Sequence, residues 1–390
     1  MPHLMNTYNR LPIAFSHGNG CWLTDSEGKV YLDALAGIAV STLGHNHPDL
    51  VAALAAQAGR LLHVSNLYQI PQQEALADKL AALSAMDEVF FCNSGCEANE
   101  AAIKLARLYG HRQGIDSPVI VVMEKAFHGR TMATLSATGN RKAQAGFEPL
   151  LSGFLRVPYN DLDAIRVIAE HQHNIVAVML EIVQGEGGIH IADHEFQRGL
   201  RQLCSEKKWL MMCDEVQCGM GRTGTWFGFQ HAGILPDVMT LAKGLGSGVP
   251  IGACLTAGRA TGLFQPGNHG STFGGNPLAT SAALTTIEVL ERDRLIANAS
   301  AMGEMIRAGF KDALSGMAGV VDIRGQGLMI GIELDRPCAD LVSRALERGL
   351  LINVTAERVI RLLPPLILNQ AEAAELVSRL SLLIVDFLSA

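Results

Sequence analysis

EVFFCNSGCEANEAAIKLARLYG, residues 88–110, carries three signals in one run. Glu88–Cys92 is short, apolar and partly aromatic, as a buried strand is. Asn93–Ser94–Gly95 interrupts it, and apolar positions then recur at helical spacing as far as Tyr109. Ser94 and Glu97 stand at the S-x-x-E spacing of a capping box, and Gly110 is expected to stop the helix. A strand turning through glycine into a helix start also presents unpaired N–H groups and the positive end of the helix dipole, a ready anion site.

The same rhythm runs on to about residue 243. Val119–Met123, Ile175–Leu180, Leu210–Cys213 and Val238–Ala242 are further short apolar runs, and nearly all end in polar or glycine-rich residues before a helical pattern. Such strands are buried on both faces, and with intervening helices they predict a parallel α/β sheet. The ligand site of an open α/β sheet lies beyond the carboxyl ends of its strands. Upstream, Cys21–Asp25 and Lys29–Ala34 form a hairpin around Ser26–Glu27–Gly28, followed by helical segments at Pro48–Leu61 and Gln72–Leu83. Downstream, a helical stretch at Pro277–Ala313 precedes strands expected at Val320–Arg324, Leu328–Leu334, Leu351–Val354 and Val359–Leu363. A last helix starts near Ala371. The expected organisation is a large α/β domain over 48–276 and a smaller α+β domain built from 1–47 and 277–390.

With 48% hydrophobic and 18% charged residues in 390, the chain can bury a large core and is far from a disordered composition. The net charge is −7 and no basic run occurs, which argues against nucleic-acid or anionic-membrane partners. None of the eight cysteines forms a CxxC pair, so reduced and mostly buried thiols in a cytoplasmic protein are expected. Gly44–His45–Asn46–His47–Pro48 has two histidines but no nearby Cys or acid, so a turn is expected there and no metal site. The N-terminus lacks a signal-peptide pattern, and no apolar run reaches the ~20 residues of a membrane span.

Chemistry is therefore sought just past the strand ends. Phe127, His128 and Arg130 follow Val119–Met123, offering a stacking face and a carboxylate clamp. Asp214 follows Leu210–Cys213, where a buried carboxylate has to be paired. Lys243 follows Val238–Ala242 among glycines that permit close approach. Each feature alone has an ordinary reading: a capped helix, a surface loop, a solvated lysine. The run GLGSG (244–248) does not match GxGxxG, so a dinucleotide site is disfavoured. Taken together, an anion-binding helix start, an aromatic ring, an acid and a lysine at one sheet edge meet the needs of pyridoxal phosphate. A phosphate must be anchored, a flat ring covered, a ring nitrogen kept protonated and a proton carried.

Further motifs extend along nearly the whole chain: YLDALAGIAVSTLGHNHP (31–48), SNLY (65–68), AFHGRT (126–131), EIVQGEGGI (181–189) and DEVQCGMGRTG (214–224). LAKGLGSGVPIGA (241–253), STFGGNPLA (271–279), RGQGLMIGIEL (324–334) and RLLPPL (361–366) follow. In these the chain resembles the class-III aminotransferases. The resemblance implies a fold-type-I pyridoxal-phosphate transferase with a mostly parallel large-domain sheet and a smaller α+β domain. It implies that Lys243 is the Schiff-base lysine, Asp214 the partner of the ring nitrogen and Gln217 a donor to the ring oxygen. Phe127 is implied to stack on the ring, with Ser94, Gly95 and Cys96 at the phosphate.

Thr272 is implied to reach the phosphate held by a neighbouring subunit, in a homodimer with shared sites. Arg130 and Ser271 are implied to hold the amino donor, and Arg361 the α-carboxylate of glutamate or 2-oxoglutarate. Glu186 is implied to pair with Arg361 while an ω-amino substrate is bound. The implied reaction moves the δ-amino group of N2-acetylornithine to 2-oxoglutarate, a step of arginine biosynthesis. Alternative donors are ornithine, succinylornithine and 4-aminobutyrate. More distant alternatives are an aminomutase, a decarboxylase or a non-catalytic binding module, and binding alone needs neither Lys243 nor Asp214. Cys96, Cys218 and Ile182 depart from the usual family residues, and none removes a group the chemistry requires.

Overall fold

The computed structural model describes residues 3–389. Its central sheet has seven strands, in spatial order Glu88–Cys92, Gly252–Thr256, Val238–Leu241, Leu210–Asp214, Ile175–Glu181, Val119–Met123 and Phe154–Val157. Gly252–Thr256 is antiparallel to both neighbours, and every other pair is parallel, so the remaining strands all point one way. Ile175–Glu181 is buried at every position, which explains its unbroken apolar run in place of alternation.

Two of these strands lie outside the sequence expectation. Phe154–Val157 is a sheet edge and carries the exposed Arg156, so it lacks an apolar run. Gly252–Thr256 opens on a glycine crowded by the chain before the helix at 95. A Cβ there would stand 2.5 Å from the Ser94 carbonyl oxygen.

The helix Gly95–Arg112 corrects the expected stop at Gly110, because it continues through that residue. The glycine is needed for packing: a Cβ would lie 2.7 Å from Val176 Cγ1 and 2.9 Å from Pro118 Cβ. Only one arm of the expected capping box forms. The Glu97 N–H donates to Ser94 Oγ at 3.3 Å, while the Glu97 carboxylate accepts from the Asn93 N–H.

The helical stretch expected over 277–313 is two helices, Pro277–Arg292 and Leu295–Ala313, separated where Arg294 adopts φ +53°. The first packs against Pro48–Ala58 and Pro71–Ser84, and the second against Val320–Gln326 and Gln370–Leu388. The strand expected at 351–354 also divides. Leu350–Leu351 pairs with Val30–Asp33, in a sheet shared with Phe15–Asn19 and Trp22–Asp25. Asn353–Thr355 joins an antiparallel sheet with Val320–Gln326, Met329–Leu334 and Val359–Leu362.

Two buried or half-buried arginines tie this sheet and its turn to loops that leave the central sheet. Arg324 Nε donates to the Ile189 carbonyl at 3.0 Å, and Arg222 Nη1 donates to the Leu328 carbonyl at 3.1 Å. His45 Nε2 lies 2.8 Å from Asp33 Oδ2. Among the described residues no helix is long and apolar enough to cross a membrane.

Candidate active site

The parallel strands bring their carboxyl ends to one edge, where a cavity of about 340 Å³ opens. Ser94, Gly95, Cys96, Phe127, Asp214, Gln217 and Lys243 all line it.

Asp214 closes the strand Leu210–Asp214 and is 4% exposed. A carboxylate this deep persists only with partners. His128 Nδ1 and Asn99 Nδ2 each donate to its Oδ2 at 2.8 Å, and the Val216 N–H donates to Oδ1 at 3.0 Å. Asn99 is itself fixed, accepting from Thr240 Oγ1 at 2.7 Å. Burial works against the His128 imidazolium, yet the Asp214 hydrogen bond and charge outweigh it and hold the imidazole above its usual range. The neighbouring Glu215 has a different fate. It accepts from the Gly228 and Phe229 N–H groups at 2.8 and 2.9 Å and serves the packing of that loop.

The helix start faces the cavity from the other side. Gly95 has to be glycine, since a Cβ would meet Val216 Cγ1 at 2.7 Å. The first N–H groups of a helix have no intrahelical partner, so Gly95 and Cys96 can donate into the cavity. Cys96 Sγ is occupied, accepting from the Arg130 N–H at 3.3 Å.

Lys243 follows Val238–Leu241 with φ +44°, a left-handed conformation forced on a non-glycine residue at the cavity wall. Burial, and then the charge of Arg361, hold its ammonium below the usual lysine range.

Arg361 comes from the antiparallel sheet and is 1% exposed. Its Nη1 donates to Glu186 Oε1 at 2.5 Å and to Gln217 Oε1 at 3.3 Å, while Nη2 donates to Asn353 Oδ1 at 2.7 Å. Glu186 is 37% exposed at its side chain, so one partner of this pair faces solvent and the other is enclosed.

Five candidates lie outside the lining of the cavity that holds Lys243: Glu186 and Arg361, which reach it through Gln217, and Ser271, Thr272 and Arg130. Ser271 and Thr272 line an adjoining cavity of about 350 Å³ that shares Asn93 with the first. Ser271 Oγ accepts from Asn93 Nδ2 at 3.2 Å, and Thr272 is exposed. Arg130 is also exposed, with its guanidinium 5.8 Å from the Phe127 ring centroid.

Sequence reasoning missed Asn99 and Glu181, and it gave His128 no link to Asp214. Glu181 ends the wholly buried strand Ile175–Glu181, is 5% exposed and lines the same cavity. The rule that singled out Asp214, a carboxylate directly after a buried strand, applies equally to it.

A buried acid held by three donors, free N–H groups beside a tightly packed glycine and an amine whose pKa burial lowers fit pyridoxal phosphate. A family model described as aminotransferase class-III matches residues 4–384. The acetylornithine aminotransferase of Nitrosomonas europaea is 59% identical over 100% of this chain and 99% of its own. That of Gloeobacter violaceus is 53% identical over 96% and 93%. Among solved structures, the ornithine aminotransferase of Toxoplasma gondii superposes with TM-score 0.95 at 31% identity, over 99% of this chain and 93% of its own. The N-acetylornithine aminotransferase of Stenotrophomonas maltophilia gives 0.86 at 35% identity, over 98% of each. From its strand-end site to its full-length relatives, the chain belongs to the class-III aminotransferases.

Proposed function

We propose that the enzyme transfers the δ-amino group of N2-acetylornithine to 2-oxoglutarate, giving N-acetylglutamate 5-semialdehyde and glutamate. The observation that carries this reading is the buried Arg361 guanidinium, shared between a half-exposed carboxylate and Gln217, which lines the cavity with Lys243 and Asp214. Such a pocket suits one substrate with a carboxylate near the reacting carbon and another without one. The names borne by the full-length relatives select acetylornithine for the second.

Pyridoxal phosphate supplies an electrophilic aldehyde and a ring that withdraws electrons from the carbon under attack. The Gly95 and Cys96 N–H groups, with Ser94, would hold the phosphate, and Phe127 would cover the ring. Asp214 would lie at the ring nitrogen and favour its protonated form, while Gln217 would donate to the ring oxygen. Lys243 would hold the cofactor through its Nζ, and the same amine would carry the proton of the substrate carbon. Arg130 and Ser271 hold the acetylated end of the donor. In the glutamate half-reaction Arg361 binds the α-carboxylate.

A screen of donors with 2-oxoglutarate tests the substrate. Acetylornithine is expected to exceed ornithine and 4-aminobutyrate in kcat/KM by about 10-fold or more, the scale of one apolar pocket contact. A higher value for ornithine, succinylornithine or 4-aminobutyrate would reassign the donor.

Glu186 and Arg361 should separate the two half-reactions. Removing one partner of a buried ion pair costs about 3–5 kcal/mol, and the partial exposure of Glu186 reduces that. Glu186→Ala is therefore expected to slow the acetylornithine half-reaction roughly 10–100-fold and to spare the glutamate one. Arg361→Ala should do the reverse. Equal losses in both half-reactions, read by single-turnover kinetics, would remove the switch from the mechanism.

We also infer a homodimer in which Thr272 serves the partner's phosphate. Thr272 is exposed, and Leu67, Tyr68 and Phe273 nearby in the same region are exposed large apolar residues, as expected of a surface that a second copy covers. Mixing inactive Lys243→Ala with inactive Thr272→Ala protein is expected to restore part of the activity. Mixed dimers that stay inactive would mean self-contained sites.

A further inference from the structure

Glu181 has no part in the roles assigned so far, yet it touches both halves of the site. It is the last residue of the strand Ile175–Glu181 and is 5% exposed. Its Oε2 accepts from the Phe127 N–H at 2.9 Å, and its Oε1 accepts from the Gly185 N–H at 3.3 Å. One carboxylate thus bridges the backbone of the ring-covering residue and the backbone of the residue before Glu186. Its own carbonyl accepts from Tyr159 Oη at 2.7 Å, which fixes the strand end from which the side chain projects.

Gly185 is a sensitive place to hold. A Cβ at this position would stand 2.3 Å from Gln217 Oε1, the same oxygen that accepts from Arg361 Nη1 at 3.3 Å. Gly185 therefore sits directly against the residue that shares the guanidinium with Glu186. On the far side the loop is pinned at the Glu186 carbonyl, which accepts from Thr355 Oγ1 at 2.6 Å. With its carbonyl tied there and Gly185 tied to Glu181, the Glu186 side chain is left as the freely turning part.

We propose that Glu181 is a positioning residue that couples the Phe127 segment to the loop carrying Glu186, so that Glu186 reaches Arg361 only when the ring-covering segment is seated. The inference rests on the switch reading of Glu186. Glu181 does not touch the reacting atoms in this scheme and acts through Gly185. The group also sits among charges, facing His128, Asp214 and Lys243. Burial and then Asp214 push its carboxyl up, with His128 opposing them. The two backbone donors are satisfied by either ionisation state, because one oxygen of a protonated carboxyl still accepts and the other retains a lone pair.

A carboxamide cannot do the same. In Glu181→Gln one of the two N–H groups faces an NH2, so one bridge arm is lost while size is kept. The expected result is an acetylornithine half-reaction about 10-fold slower and a glutamate half-reaction within 2-fold of wild type. The discriminating measurement is a double-mutant cycle with Glu186→Ala on the acetylornithine half-reaction. If Glu181 acts through Glu186, Glu181→Gln adds less than 2-fold in the Glu186→Ala background, because coupled residues are non-additive.

Multiplying effects would overturn the coupling, as would equal slowing of both half-reactions by Glu181→Gln in an enzyme whose Glu186→Ala variant shows the split. If Glu186→Ala itself shows no split, the switch reading fails, and the cycle still decides the coupling by additivity alone. Should Glu181→Gln not fold, Tyr159→Phe loosens the same strand end from outside the cavity. It should show the same non-additivity with Glu186→Ala at a smaller amplitude, and full additivity there overturns the proposal.

Discussion

Asp214→Asn is expected to lower kcat about 10²–10³-fold, the scale of removing one preorganised electrostatic contact from a transition state. The amide is isosteric but carries no charge, so it cannot favour a protonated ring nitrogen. Charge developing on the substrate carbon then loses its sink, and the loss falls on the transition state more than on binding. The local bonding changes as well. His128 Nδ1 and Asn99 Nδ2 both donate to Oδ2, so the amide must turn its oxygen toward them. Its NH2 would then oppose the Val216 N–H, which now donates to Oδ1. That costs about 1–3 kcal/mol of stability.

The cost should depend on pH with a definite sign. His128 is raised in the native protein because the Asp214 bond and charge overcome burial. Its contribution is fully present below the ordinary imidazole range and is lost as pH rises through the raised value. The variant lacks that contribution, so its deficit in Tm should be widest in acid and should narrow toward alkaline pH. A kcat near that of wild type would refute the role of Asp214. A deficit independent of pH would mean that His128 is not charged in the native state.

Much of this site was legible in the sequence because burial makes charged residues conspicuous. Asp214 and Lys243 each end an apolar run, and a charge at that place demands either a partner or a purpose. The partners were harder to see. Asn99 lies inside a helix at a position that reads as an ordinary polar residue, and only the tertiary packing turns it toward Asp214 and Thr240. His128 was visible within AFHGRT, but its partner depends on Val119–Met123 and Leu210–Asp214 flanking the same strand, Ile175–Glu181. Glu181 was hidden by a boundary: ending the strand at Leu180 left the acid looking like a loop residue, whereas it pairs in register with Asp214.

The fold shows the same division. Strands buried on both faces announced themselves, while the edge strand with Arg156 and the glycine-led strand at 252–256 did not. Their places are set by neighbours, Ser94 among them, and not by local propensity. Gly110 was misread for a related reason. A glycine near a helix end is commonly a stop, but here Val176 and Pro118 lie too close for any side chain.

Lys243→Ala should abolish transamination, with a loss of at least ~10³-fold from the missing proton carrier alone. The two neighbouring acids are not free to replace it. Glu181 is occupied by the Phe127 and Gly185 N–H groups, and Asp214 by His128, Asn99 and Val216. Borohydride treatment of the wild-type holoenzyme should leave a pyridoxyl group on the peptide containing Lys243, and the variant should show none. Stability should move in the opposite direction to activity. Burial and Arg361 hold the Lys243 ammonium below its ordinary range, so the unfolded chain binds a proton that the native chain resists. Wild-type stability therefore carries a penalty below that ordinary range, which lessens as pH rises toward it. Alanine removes the penalty, and the space it vacates opens into the existing cavity, so cofactor-free Lys243→Ala should melt at or above the wild-type temperature near neutral pH. A rate within about 10-fold of wild type, or an adduct on another lysine, would take Lys243 out of the chemistry. A variant that melts well below wild type would show instead that the amine is protonated and paired in the native cavity.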